Sequence, residues 1–192
     1  VKQSYLQEYP VKVIPNGINL EIFCPSHSDS KSLTLPSNFE NKKIILGVAN
    51  VWTKRKGLDF FFQLHKDLPD AYHIVLIGLS KRQQQKIHSQ YGDAITALTK
   101  TTSQQALADW YRSAYVFVNP TLEDNFPTTN LEALACGTPV ITFRTGGSPE
   151  SISDKCGIIV DKGNIIKLKE AILSLSGNSN ITSAACREQA MK

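Results

Sequence analysis

Several common signatures are missing from this chain, and each absence closes a route. No G-x-G-x-x-G follows an apolar run, so the dinucleotide fingerprint is lacking. There is no G-x-x-x-x-G-K-[ST] and no G-x-S-x-G, which removes the P-loop cradle and the hydrolase nucleophile elbow. The four cysteines, Cys24, Cys136, Cys156 and Cys186, lie far apart, with no C-x-x-C pair and no histidine at ligand spacing. That argues against a zinc site and for buried free thiols in a reducing compartment. No apolar run approaches the ~20 residues of a membrane span, and no signal peptide is visible. Charge is thin as well: Lys+Arg 21 against Asp+Glu 17 leaves +4, and the one dense basic cluster is Lys54-Arg55-Lys56. Nucleic acid needs a longer basic stripe, so it is not an expected partner; a small anion suits the cluster better.

What is present is globular. A chain of 192 residues, 41% of them hydrophobic, can bury one real core. Short β-branched runs recur at Val11–Ile14, Lys43–Val48, His73–Ile77, Tyr115–Val118, Pro139–Phe143 and Gly157–Val160, with a further candidate at Ala94–Leu98. Each is nearly continuous, as strands buried on both faces are. Amphipathic stretches fill the gaps: Leu58 to Leu64, Lys81 to Gln90, a helix after the N-cap Ser103 through Leu107, Trp110 and Tyr111, a short helix through Leu131 and Leu134 stopped by Gly137, and Ile165 to Leu175. The alternation predicts an α/β, Rossmann-like, doubly wound parallel sheet with helices on both faces, in one domain over 1–192. Ser26–Asn41, rich in Ser, Pro and Asn, reads as a surface loop. The chain begins at Val1 and stops at Met191-Lys192 in mid-pattern, and so reads as a piece of something longer.

Ligands of such sheets sit beyond the carboxyl ends of the strands. That selects the loops after Val48, Ile77, Leu98, Val118 and Phe143, and none of the four histidines falls on them. After Val48, Arg55 and Lys56 can clamp a phosphate, and the adjacent Trp52 is expected to be exposed and to want a partner. After Phe143, Gly146-Gly147 lets backbone N–H groups approach an anion, and a helix starting near Glu150 would add its dipole. After Val118 comes EDNFPTTNLE, residues 123–132. Thr128 or Thr129 can cap the helix there, with Glu132 in a capping box; the rival reading makes the loop a ligand cradle.

In family order, VIPNGIN (13–19), WTKRKG (52–57), LADWY (107–111), NPTLED (119–124), LEALACGTPVI (131–141) and TGGSPE (145–150) resemble the C-terminal, nucleotide-sugar-binding half of a GT-B glycosyltransferase of the retaining family 4, or group 1, type. No single piece is specific, but together they span nearly the whole chain. The family signature is Glu-x7-Glu, and seven residues separate Asp124 from Glu132, so Asp124 holds the first acidic place with one methylene less. The resemblance implies that Asp124 lies near the transferred sugar. It makes the N–H groups of Asn125, Phe126, Thr128 and Thr129 donors to sugar and phosphate; Pro127 has none. Glu132 would accept from the ribose hydroxyls, and Lys56, Arg55, Gly146 and Gly147 would meet the diphosphate. The Arg that the family commonly places before its Lys-Gly falls at Val51 here, which cannot serve.

The implied activity is sugar transfer from a UDP- or GDP-sugar to an acceptor hydroxyl with retention, in bacterial polysaccharide or glycan assembly. The acceptor, a saccharide or lipid-linked glycan, would bind an N-terminal domain absent from this chain. Through that domain the enzyme would associate peripherally with the inner face of the membrane, in the cytoplasm. No D-x-D triplet is present, and no metal or other cofactor is expected. Two other classes share the pattern: a nucleotide-sugar-binding domain that has lost its chemistry, and a GT-B epimerase or phosphorylase.

Overall fold

Parallel strands buried on both faces need helices above and below, and the chain supplies them by alternation except between the last two strands, which a 3-10 turn joins. A computed structural model describes residues 3–12, 14, 16–25, 39 and 41–192. Its elements run β1 (Lys43–Val48), α1 (Leu58–Asp67), β2 (Tyr72–Ile77), α2 (Lys81–Tyr91), β3 (Ile95–Leu98), α3 (Gln104–Ser113), β4 (Val116–Asn119), α4 (Thr128–Ala135), β5 (Val140–Phe143), β6 (Gly157–Val160), α5 (Ile165–Ser174) and α6 (Ser183–Ala190). The sheet order is β3-β2-β1-β4-β5-β6, and every pairing is parallel. The chain winds outward from β1 to β3, then returns to the other side of β1 as β4. Ile45 faces Val116 across that switch point, where open α/β sheets keep their ligand crevice.

The two-residue strand period sorts the core. Ile45, Ile74, Leu76, Ile141 and Phe143 pack with Phe61, Leu64, Ile87 and Leu168 under α1, α2 and α5. Ile44, Leu46, Val75, Phe117 and Val140 pack with Ala108, Tyr111, Leu134 and Cys186 under α3, α4 and α6. Side chains fix four helix starts. Ser80 and Gln83 form a capping box on α2, and Ser103, Asn164 and Thr182 each accept a backbone N–H of α3, α5 and α6. Gly137, at φ 84°, closes α4.

Two expectations change. The run Val11–Ile14 is not a strand where it is described: Val11 and Ile14 are 61% and 79% exposed, and neither pairs with the sheet. Flanking Pro10 and Pro15 each withhold an N–H donor, and no sheet edge is left on the β1 side for this run to join. Val13, Pro15 and most of the expected Ser26–Asn41 loop lie outside the described residues. Helix α6 was not anticipated, because SAACREQA offers one buried residue, Cys186, and almost no apolar period. Polar contacts hold it instead: Arg187 Nη1 donates to the carbonyls of Phe23 (2.6 Å) and Ala135 (3.1 Å), and Nη2 to that of Leu20 (3.2 Å).

One glycine sets the approach of β1 to β2 at the ligand edge. Gly78 has φ +96°, and a Cβ there would overlap the Ala49 carbonyl. Gly163 has φ +75° but opens on empty space. Gly78→Ala should therefore lose at least about 2 kcal/mol of stability in urea unfolding, and Gly163→Ala about 1 kcal/mol, the left-handed penalty alone.

Candidate functional site

The basic loop is anchored before its charges begin. Trp52 is buried at 5% exposure, not exposed as expected; its Nε1 donates to the Ile77 carbonyl at 2.9 Å and its ring meets Phe61 edge-on at 5.6 Å. An indole has one polar atom, and the end of β2 satisfies it, so this Trp is a loop anchor. Gln83 Nε2 holds the Trp52 carbonyl from α2 at 2.9 Å. Lys54–Lys56 then form a 3-10 turn that ends on Gly57 in the left-handed region, where a Cβ would run into the Pro120 carbonyl.

That close approach joins the basic loop to the loop between β4 and α4. Leu122 N donates to the Arg55 carbonyl at 2.7 Å, and Arg55 Nη1 donates to the Glu123 carbonyl at 3.2 Å. Lys56 Nζ meets Asp124 Oδ2 at 2.6 Å, with both side chains partly exposed. The two acidic candidates part company here: Asp124 faces the cation, whereas Glu123 is exposed and uses its carbonyl.

Behind the same loop lie Gly146 and Gly147. A Cβ on either would strike the carbonyl of Asp124 or Asn125, and the Gly147 N–H already donates to Asp124 O at 3.3 Å. The glycines thus permit close packing of one loop on another, and they do not line the cleft described below. The helix expected near Glu150 is a single 3-10 turn, Ser148–Ser151, with Glu150 exposed upon it. One turn aligns too few peptide dipoles to act as a helix end.

A buried polar cluster ties these parts together. Asn119 Nδ2 donates to Asn130 Oδ1 at 2.8 Å, and Asn130 Nδ2 donates to Ser148 Oγ (3.2 Å) and Ser151 Oγ (3.0 Å). Thr142 Oγ1 meets Ser148 Oγ at 2.6 Å and donates to the Asn119 carbonyl at 3.0 Å. The cluster links β4, α4, β5 and the Ser148 turn, and among the described residues no buried side-chain N or O atom lacks a partner.

The capping expectation for α4 fails. Its N-cap is Pro127, no side chain caps it, and the helix begins at Thr128. Asn130 N turns back to Pro127 O at 3.1 Å. Helical geometry leaves the earlier N–H groups, those of Thr128 and Thr129, without intrahelical acceptors, and both residues line the cleft. Glu132, freed from capping, accepts a hydrogen bond from Tyr111 Oη at 2.9 Å. Burial pushes the Glu132 carboxyl above its ordinary value near 4.5, and the Tyr111 bond offsets part of that. Burial and the neighbouring Glu132 drive the Tyr111 hydroxyl well above its own ordinary value.

These groups converge on a cleft of about 600 Å3 at the carboxyl ends of β1, β2 and β3. Arg55, Lys56, Asp124, Phe126, Thr128, Thr129 and Glu132 line it, and Thr99, Lys100 and Thr101 close the far side. Of the residues singled out in the sequence, Asn125, Gly146 and Gly147 stand outside this lining. His65, His73 and His88 do not reach the cleft, and His27 is outside the described residues. All four cysteines are buried as thiols; Cys136 and Cys186 are pushed up to about 12 by burial. Among the described residues no group of three His, Cys, Asp or Glu is placed to hold a metal ion. Tyr111 and Asn130 escaped sequence reading. Asn130 left one trace, an amide directly before the apolar residues of α4; Tyr111 left none, since its partner lies 21 positions away.

A cationic loop, a carboxylate and open helix N–H groups around one crevice are what an anionic, hydroxyl-bearing ligand requires. Residues 42–178 match the family described as Glycosyl transferases group 1, and the chain belongs to it. It is 34% identical over 165 residues to a D-inositol 3-phosphate glycosyltransferase of Paenarthrobacter aurescens, covering 79% of this chain and 39% of that protein. It is 26% identical to a probable sucrose-phosphate synthase of Thermosipho melanesiensis, covering 91% and 43%. The chain thus spans less than half the length of these relatives. Among solved structures, sucrose-phosphate synthase from Thermosynechococcus elongatus superposes with a TM-score of 0.81 at 26% identity, over 97% of this chain and half of that one. The C-terminal domain of a group 1 glycosyl transferase from Francisella tularensis shares the fold at TM-score 0.69 and 20% identity, over 91% of this chain and 97% of that domain. HepE from Anabaena, solved with UDP and glucose, does so at 0.76 and 18%, over 94% of this chain and 51% of that one. The Rossmann-like architecture is therefore one half of a GT-B glycosyltransferase fold.

The raised carboxyl of Glu132 yields a stability test. The folded protein holds this proton more tightly than the unfolded chain, so ionisation costs stability. The cost is absent below the unfolded value and grows as pH rises through the folded one. Glu132→Gln keeps an acceptor for Tyr111 and carries no charge. Its melting temperature should exceed that of the wild type at about pH 7.5, with the gain vanishing near pH 4. Asn130→Ala should cost about 1–3 kcal/mol in denaturant unfolding, because it strands buried partners in Asn119, Ser148 and Ser151.

Proposed function

We propose that this chain is the donor-binding half of a glycosyltransferase that moves a hexose from a nucleoside-diphosphate sugar, UDP- or GDP-linked, to an acceptor hydroxyl with retention of configuration. The observation that carries the reading is the convergence of Lys56, Arg55, the open N–H groups of Thr128 and Thr129, and Glu132 on one crevice at the switch point. Each matches a part of the ligand. Departure of a nucleoside diphosphate builds negative charge, and Lys56 with the α4 N-terminus stabilises it without a metal ion. Arg55 adds a second cation to the diphosphate. Asp124, paired with Lys56, lies beside the transferred sugar, and Glu132 accepts from the ribose hydroxyls. The UDP and glucose found with HepE support this ligand class, and the named activities of the relatives support sugar transfer.

The acceptor, a saccharide or lipid-linked glycan, is bound by a second domain in the longer protein, which works on the cytoplasmic face of the membrane in glycan assembly. No helix of the described residues is long and apolar enough to cross a membrane; the proposed membrane association is peripheral and made through that second domain. On its own the chain binds nucleotide and transfers little.

Calorimetric titration with UDP and GDP tests the reading. One should bind with an affinity that falls as salt rises, and chelation of divalent ions should leave the affinity unchanged. Lys56→Ala should raise the dissociation constant while leaving the fold intact; an unaltered constant removes Lys56 from the diphosphate site. Glu132→Ala should weaken binding by ~1–3 kcal/mol, as loss of a charged acceptor does. If neither nucleotide binds, the reading fails.

A further inference from the structure

We infer that Tyr111, a residue outside the cleft lining, is a positioning residue that turns Glu132 into a one-oxygen acceptor for a ribose hydroxyl. The inference rests on the donor-site reading above and deepens it.

Tyr111 is fully buried, and its ring is clamped edge-on by Phe117 at 5.4 Å and Phe23 at 6.1 Å. Its backbone is held as well: the Tyr111 carbonyl accepts from Thr138 Oγ1 at 2.5 Å and from Ala114 N at 3.1 Å. The hydroxyl therefore has a fixed address, and it donates its single proton to Glu132 Oε2 at 2.9 Å. A glutamate side chain in mid-helix has three torsions to order before it can accept from a ligand, and each costs entropy. Here one carboxylate oxygen is already bound to a rigid donor. The other remains for the cleft that Glu132 lines. The second role of the phenol is electrostatic: its hydrogen bond opposes the burial that pushes Glu132 toward protonation. The other titratable groups around Glu132 are Cys136, one turn along α4, and Arg55, Lys56, Lys100 and Asp124 across the cleft. None of them is bonded to the Glu132 carboxylate.

A structural tyrosine would be indifferent to what the nucleotide carries on its sugar. A positioning tyrosine would not. The experiment titrates full-chain wild type, Tyr111→Phe, Glu132→Gln and the double variant with UDP, or with GDP if that is the nucleotide selected, and with its 2′,3′-dideoxy counterpart, across pH. In Tyr111→Phe the ribonucleotide constant should rise about threefold to tenfold, the net worth of one ordinary hydrogen bond. The dideoxy constant should stay where it is. The acid limb of ribonucleotide binding should move to higher pH, because Glu132 loses the bond that lowers its pKa. The double variant should bind no more weakly than Glu132→Gln alone. A wild-type constant in Tyr111→Phe, or equal losses for both nucleotides, overturns the role of Tyr111 and leaves the donor site standing. A wild-type protein that binds neither UDP nor GDP overturns the donor site itself. If Tyr111→Phe does not fold, the wild type answers: the ribonucleotide should perturb tyrosine absorption in the near ultraviolet and the dideoxy nucleotide should not. Equal perturbation by both overturns the proposal.

Discussion

The hydrogen-bonded cluster centred on the Asn130 amide is what the cleft depends on. A parallel sheet can deliver loops to one edge, but it cannot fix where they sit. Asn130 lies two residues inside α4 and reaches Asn119 at the end of β4 and the two serines of the Ser148 turn. An amide has two donors and an acceptor in a fixed plane, so satisfying all of them in a buried place fixes three chain segments against one another. The N-terminus of α4, with its open N–H groups, is held by that plane and not by a cap. The absent cap and the buried amide are one arrangement: a side chain on the first turn of α4 would occupy the donors that face the cleft.

Glu132 illustrates the cost of such a place. Burial disfavours its charged form, and the fold gains nothing from it as a cap. A neutral residue there would be better for the folded state at neutral pH. Carboxylates held at a cost in stability are enriched at sites, where charge is needed more than rigidity. Tyr111 limits that cost, and it does so from α3, outside the cleft lining.

The fold was legible because its signal is repetitive: five strands with period-free apolar runs, each followed by an amphipathic helix, leave few topologies once right-handed crossovers are required. Val11–Ile14 imitated that signal in composition, but a run gains nothing from β-branching without a free neighbour to pair with. The acids of the cleft were picked out by their resemblance to the family's Glu-x7-Glu signature, and the structure separates Asp124 from Glu123 by where their side chains lie. Three things were not legible. Trp52 looked like an exposed aromatic because its partner is a carbonyl at the end of another strand. Gly146 and Gly147 looked like an anion nest, whereas the atoms they admit are backbone carbonyls. Helix α6 is held by Arg187 on carbonyls from residues more than 150 positions away, which no local period can announce.

The Lys56–Asp124 pair follows from the same economy. A partly exposed ion pair adds little to stability, so its 2.6 Å contact is better understood through what surrounds it. Leu122, Thr121 and Glu123 bond Arg55 backbone or side chain, so both loops are held together independently of the ion pair. An aspartate in that frame needs no longer reach than it has: the Gly57–Pro120 contact brings Lys56 to it. The glycine that permits the approach therefore positions the Lys56–Asp124 pair as much as the charges themselves do.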